Sequence, residues 1–288
     1  NEISYTTQLA QPNVALVNNI AAAHLEGFGS IEGVAKAKGE IFEGLQENGT
    51  AIYNLDSNGL PKWSSLFEGK QVVSFAMSNS SADFYASNIE INGMGEPSFQ
   101  INTPQGSTQV SLGIIGKHNV VNAVAAAALA IQANASLDDI QQGLQQLGSV
   151  KGRVAVETLG SGLKVIDDTY NASVPAMKAA VDLLGGFEGQ RWLVLGNMAE
   201  LGEESLALHR EVGEYAAPYQ FEQVVTFGDD TKVISELCNG RHFETRSDLN
   251  AYLLKELQSI KHNEVTVLVK GANSSRMSEV VSALKECQ

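Results

Sequence analysis

From residue 153 onward, short apolar runs alternate with stretches of helical periodicity, and no other feature constrains the fold as much. The runs are "RVAVETL", "LKVIDD", "RWLVLG", "QVVTFG" and "VTVLVKG". Between and after them the spacing predicts helices over about 173–184, 203–217, 230–238, 247–258 and 274–285. Strands joined by helical crossovers pair in parallel, and a parallel sheet needs helices on both faces. The pattern therefore predicts a Rossmann-like, doubly wound α/β domain.

The first half reads differently. "NVALVNNI", a helix and "TAIYNLD" follow one another as a βαβ unit. In the helix, Ser30 suits the N-cap, and Val34, Lys38, Ile41, Phe42 and Leu45 fall on one stripe. Lys36, Glu40, Glu43 and Glu47 fall on the opposite side, so Lys36 is a surface lysine while Lys38 sits among core-facing residues. From 71 to 115, short alternating strands separated by Gly, Pro, Asn and Ser predict an antiparallel β insert. The Ala-rich "HNVVNAVAAAALAIQANA" and "SLDDIQQGLQQL", with Ser136 as its cap, predict two helices. The texture changes near residue 151, which divides the chain into 1–151 and 152–288.

A net charge of −14 argues against nucleic acid and anionic membrane surfaces as partners. No apolar run is long enough to span a bilayer, so no membrane insertion is expected. Cys238 and Cys287 form neither a disulfide framework nor a metal spacing, which suits a reducing cytoplasm. "NEISYTTQLAQPN" lacks the basic start and apolar core of a signal peptide and reads as the interior of a longer chain.

In open α/β sheets, ligands bind beyond the carboxyl ends of the strands. Four strand ends here run into polar or Gly-containing signatures: "NNIAAAH", "DDTYNAS", "GNMAELG" and "KGANSS". Together they predict a ligand between the two domains. His24 suits either a core histidine or a metal ligand. A buried Lys38 amine loses its proton readily and reacts with carbon dioxide to a carbamate, whose oxygens suit Mg²⁺. A lysine that snorkels outward or pairs with a carboxylate fits the sequence equally well. His118, Asn119 and Asn122 share one face near a helix start, where the amides suit a purine edge and Asn119 also suits a cap. Arg153 either reaches a phosphate or ties down the linker. Asp167 and Asp168 suit a ribose hydroxyl, a metal or a turn. Neither a P-loop nor a G-x-G-x-x-G stands anywhere in the 288 residues.

"ALVNNIAAAHLEGFGS", "VAKAKGEIF", "GKHNVVNAVAAAALA", Gly152–Arg153, "DDTYNAS", "LGNMAELG" with His209 downstream, and "LVKG" run in an order that resembles the Mur ligases across nearly the whole chain. The resemblance implies the remainder of a central P-loop-type ATPase domain with its antiparallel β insert, followed by the Rossmann-like C-terminal domain. It implies that the P-loop and an N-terminal domain lie upstream of Asn1, and that this stretch alone is inactive. The implied activity is ATP-dependent addition of D-alanyl-D-alanine to UDP-N-acetylmuramoyl-tripeptide through an acyl phosphate, for the bacterial cell wall. Another amino-acid ligase of the family, or a non-catalytic nucleotide- or partner-binding remnant, is the alternative.

By the same resemblance, Lys38 is a carbamylated lysine and His24 its Mg²⁺ ligand, both catalytic along with Arg153. ATP falls to His118, Asn119, Asn122, Arg153, Asp168 and Asn171. The amine substrate falls to Asn197, Lys270, Gly271 and Asn273. Asn197 stands where the family more often has Asp, and "KGAN" where it often has "KGSR". The expected protein is a cytoplasmic monomer acting on small molecules.

Overall fold

The computed structural model describes residues 2–21, 25–57, 63–148, 152, 154–160, 162–260 and 265–286. These form two compact units, each with its own sheet. The first comprises residues 1–92, 96–113 and 117–147; the second comprises 93–95, 114–116 and 148–288.

The first unit holds six strands in sequential order: β1 (Val14–Val17), β2 (Thr50–Asn54), β3 (Gln71–Ala76), β4 (Phe84–Ile91), β5 (Pro97–Thr103) and β6 (Gly106–Ser111). Strands β1 to β4 pair in parallel, and β4–β5–β6 pair antiparallel. The expected antiparallel insert is thus β4 to β6, whereas "QVVSFAM" instead extends the parallel sheet as β3. The reason is local. Asp83 accepts from Ser74 N–H at 2.8 Å and Ser74 Oγ–H at 2.7 Å, folding the 77–83 loop back on itself. Only Phe75 and Ala76 then pair with β4, side by side with Phe84 and Tyr85.

The helices of this unit are α1 (Glu2–Ala10), α2 (Leu25–Phe28), α3 (Ile31–Gly39), α4 (His118–Gln132) and α5 (Leu137–Gln145). The α3 stripe packs as the spacing requires: Val34, Phe42 and Leu45 are buried with Ala15, Val17 and Trp63. Past Gly39 the chain tightens into a 3₁₀ turn, Glu40–Gly44. Buried alanines on α4 let it lie close against β3 and β4. The α5 cap is a reciprocal box in which Ser136 and Asp139 each bond the other's backbone N–H. Helix α4 begins at His118 with Lys117 at the cap position, so Asn119 is not the cap.

The second unit has strand order β11-β10-β9-β12-β8-β7, from β7 (Ala155–Leu159), β8 (Leu163–Asp168), β9 (Gln190–Gly196), β10 (Gln223–Phe227), β11 (Arg241–Phe243) and β12 (Val265–Lys270). All neighbours are parallel except the β7–β8 edge hairpin. Helices α6 (Val174–Gly185), α7 (Ser205–Ala216) and α8 (Lys232–Leu237) pack on Ile166, Leu193, Leu195 and Leu268. On the opposite face α9 (Arg246–Ser259) and α10 (Ser278–Glu286) pack on Val165, Trp192, Val194, Val267 and Val269. Successive strand residues thus feed opposite cores, the doubly wound arrangement the alternation predicts. The helix expected over 274–285 is divided into a 3₁₀ turn, Asn273–Ser275, and α10, because Arg276 takes a left-handed conformation between them.

Candidate functional site

In the first unit, polar groups gather where β1 and β2 end. Helix α3 is fixed in rotation by two contacts. Ser30 Oγ accepts Gly33 N–H at 3.1 Å, and Trp63 Nε1–H donates to Ala35 O at 3.2 Å. Gly39 makes the second possible, since a Cβ there would lie 2.4 Å from the indole nitrogen. Lys36 is accordingly exposed and Lys38 turns inward, half-buried. The Lys38 ammonium donates to Asn19 O at 2.8 Å, just beyond β1. Burial lowers its pKa below the ordinary lysine value.

A chain of carboxamides links the same strand ends to α4. Asn54 Nδ2 donates to Asn18 O at 3.0 Å, and Asn18 Nδ2 donates to Asn122 Oδ1 at 3.0 Å. Asn122 Nδ2 donates in turn to Asn119 Oδ1 at 3.1 Å. Asn54 holds the Asn18 backbone, while the amides of Asn18, Asn122 and Asn119 orient one another. His118 is half-buried in the same first turn of α4. Sequence spacing does not single out Asn18 and Asn54 as site residues; an asparagine ending an apolar strand is the available signal. His24 and Arg153 lie outside the described residues. Among the described residues no group of three or more His, Cys, Asp and Glu is placed to hold a metal ion, and no helix is long and apolar enough to cross a membrane.

In the second unit, the ends of β8 and β12 lie side by side, with Asp168 paired in register to Lys270. Lys270 is buried, and its Nζ lies 2.6 Å from Asp168 Oδ2 and 2.9 Å from Asn171 O. Two residues assigned by resemblance to different substrates are therefore each other's counter-ion. Burial pushes the Asp168 carboxyl above the ordinary aspartate value, and the Lys270 ammonium pulls against that. The neighbouring Asp167 instead closes a turn, accepting Thr169 N–H at 3.2 Å and Thr169 Oγ1–H at 2.7 Å. The Asn171 side chain accepts Ala172 N–H at 2.8 Å.

Strand β12 also flanks β9, and there the backbones touch. A Cβ on Gly271 would lie 3.1 Å from Gly196 Cα and 2.5 Å from Ser275 Oγ. Immediately after Gly196, Asn197 O accepts Ala272 N–H at 2.8 Å. The next amide, Met198 N–H, donates to Nε2 of the buried His209 at 3.0 Å. That fixes the tautomer: Nδ1 carries the proton and donates to Ser205 O at 2.8 Å. Burial lowers the His209 pKa, so the ring is neutral near pH 7. Asn197 Oδ1 is shielded from solvent and has no hydrogen-bond partner among the described residues. Asn273 begins the 3₁₀ turn that follows, where its carbonyl accepts Arg276 N–H at 3.0 Å.

Two α/β units whose polar groups collect at the carboxyl ends of parallel strands define an α/β protein of the class that receives ligands at those strand ends. The Mur ligase middle domain matches residues 1–130, and the Mur ligase glutamate ligase domain matches residues 152–273. On both matches, the chain belongs to the Mur ligase family. It is 43% identical over 288 residues to the UDP-N-acetylmuramoyl-tripeptide–D-alanyl-D-alanine ligase of Haemophilus influenzae, covering 99% of this chain and 62% of that protein. A crystal structure of MurF from Acinetobacter baumannii superposes with a TM-score of 0.90 at 32% identity, over 99% of this chain and 62% of that one. MurF ligase from Thermotoga maritima in complex with ADP gives 0.83 at 25% identity, over 99% and 64%. The chain thus spans a little over three fifths of the length of these relatives.

Proposed function

We propose that the chain is the central and C-terminal part of a cytoplasmic, ATP-dependent ligase that joins D-alanyl-D-alanine to UDP-N-acetylmuramoyl-tripeptide. The observation that carries this reading is likeness along 99% of the chain to a ligase named for that reaction. In the reaction, the tripeptide carboxylate takes the γ-phosphoryl group of ATP, releasing ADP. The dipeptide amine attacks the resulting acyl phosphate, phosphate leaves, the amine gives up a proton, and an amide remains. Residues 1–151 serve the nucleotide and 152–288 the amine substrate, and the enzyme acts as a monomer.

Within that reading, His118, Asn119 and Asn122 hold the adenine, while Arg153, Asp168 and Asn171 close on ATP. Asn197, Lys270, Gly271 and Asn273 border the amine substrate; the Asp168–Lys270 pair supports this by shaping a strand end rather than by contacting both ligands. Lys38 and His24 would hold Mg²⁺, Lys38 as its carbamate. A half-buried amine with a lowered pKa fits that modification, because the neutral form is the one that reacts with carbon dioxide. Bound there, Mg²⁺ supplies charge neutralisation to the transferring phosphoryl group.

The test uses the full-length product of the gene. Phosphate release is expected only when the tripeptide nucleotide and D-alanyl-D-alanine are both present. Release supported equally by single amino acids, or indifferent to the dipeptide, would overturn the reading. Incubation with ¹³C-bicarbonate is expected to give a carbamate carbon resonance in the wild type that Lys38→Ala lacks.

A further inference from the structure

The segment after β9 is clamped around Asn197, whose side-chain oxygen has no hydrogen-bond partner among the described residues. Asn197 is clamped on both sides: its carbonyl by Ala272 N–H at 2.8 Å, and the following amide by His209 Nε2 at 3.0 Å. The two clamps come from different elements, the loop after β12 and helix α7. His209 is itself anchored through Nδ1 to the first residue of α7, and Ser205 Oγ donates to Asp230 Oδ2 at 2.5 Å. The backbone at 197–198 is thus fixed by the loops following three neighbouring strands.

The carboxamide lies over Gly228, where a Cβ would sit 2.6 Å from Asn197 Oδ1. Gly228 has a φ of 105°, so a side chain there is disfavoured by conformation as well as by space. An unsatisfied buried acceptor is destabilising unless something else meets it. Asn250 Oδ1 is also without a partner among the described residues, but it lies within helix α9 rather than in the segment that follows a strand. Asn197 lies at the strand end where an open α/β sheet receives ligand. It is half-buried, and rotation about Cβ–Cγ, a torsion with broad wells, turns Oδ1 outward without moving the pinned backbone.

We infer that Asn197 Oδ1 is the acceptor for an N–H of the amine substrate, and that His209 is the positioning residue that holds it in place. This rests on the reading under Proposed function. A carboxamide oxygen has the right chemistry, because it accepts an N–H without taking the proton and without favouring the ammonium form. The amine therefore keeps its lone pair for the acyl carbon. An aspartate at 197, the residue the family more often has, would accept the same N–H while holding the amine's pKa higher, so the oxygen serves the contact and the carboxamide sets its pH range.

The experiment measures KM for dipeptide and for ATP, kcat and Tm in the full-length enzyme. Asn197→Ala removes the unpaired oxygen. It is expected to keep or raise Tm, to raise the dipeptide KM up to about tenfold, as loss of one hydrogen bond allows, and to leave the ATP KM unchanged. Asn197→Asp is expected to move the acid limb of the kcat profile, which reports the bound amine, to higher pH. His209→Leu is expected to lower Tm and to raise the dipeptide KM while leaving the ATP KM unchanged. His209→Gln, which still offers Met198 N–H an acceptor, is expected to reverse most of both effects. A fall in Tm with the dipeptide KM unchanged, or equal shifts in both KM values, would overturn the inference while the ligase reading stands. Wild-type enzyme indifferent to the dipeptide would overturn both.

Discussion

Lys270 and His209 are both wholly or almost wholly buried, and the second unit accommodates them differently. Lys270 is met by the Asp168 side chain and a backbone carbonyl. His209 gives up its charge and uses each ring nitrogen on the main chain. Lys270→Met leaves the Asp168 carboxylate buried without its counter-ion and is expected to cost about 3–5 kcal/mol in urea unfolding. The Asp168 pKa is raised in the folded state, so its contribution is full at acid pH and is lost as pH rises through the folded value. Removing the ammonium should steepen that loss. For His209 the folded pKa is lowered, so stability is full above the unfolded value near 6.5 and falls as pH drops below it. The urea midpoint is expected to decline below about pH 6.5 in the wild type and less so in His209→Gln. Neither pairing was legible in the sequence. Which residues face each other across β8 and β12 is a matter of register, and residues 168 and 270 are far apart in the chain. Lys38 was legible as inward-facing, because helical spacing is local; its main-chain acceptor at Asn19 was not.

Among the elements, α3 is the one on which the proposed chemistry turns, and its first turn is closed by Ser30. Ser30→Ala is expected to cost about 1 kcal/mol, seen as faster amide exchange in 31–39 than elsewhere in the first unit. The β9–β12 contact is less forgiving. In Gly196→Ala the new methyl would meet Met277 Cγ at 2.6 Å and Ser275 Oγ at 2.8 Å, so a loss of about 1–3 kcal/mol is expected in thermal unfolding. Most strands and helices were legible from period and punctuation. The exceptions have physical causes. Helix α1, "EISYTTQLA", carries β-branched and aromatic residues that favour strands. It is helical because tertiary bonds hold it: Thr7 Oγ1–H donates to Ile41 O at 2.7 Å, and Ser4 N–H donates to Glu40 Oε2 at 3.1 Å. Strand β11 has only three residues, too few for any period. The direction of β3 depends on a loop contact through Asp83, not on the strand's own pattern.

At the scale of the molecule, the alternation from residue 153 was enough to define the second unit's layers, but not its full membership. That unit also takes residues 93–95, between β4 and β5, and 114–116, between β6 and α4. Ile115 is buried in its core with Leu184, Phe187 and Leu268. Nothing in the period of those short segments separates them from the strands around them. Exchange of C-terminal lobes between relatives by recombination therefore has a hidden requirement. A crossover placed near residue 150 moves the sheet and its helices but leaves Ile115 behind with the recipient. The transplanted lobe then meets whatever residue the recipient carries at that position. A chimera is expected to be thermolabile, losing up to several kcal/mol, unless that residue is also large and aliphatic, and restoring isoleucine there should recover the melting temperature.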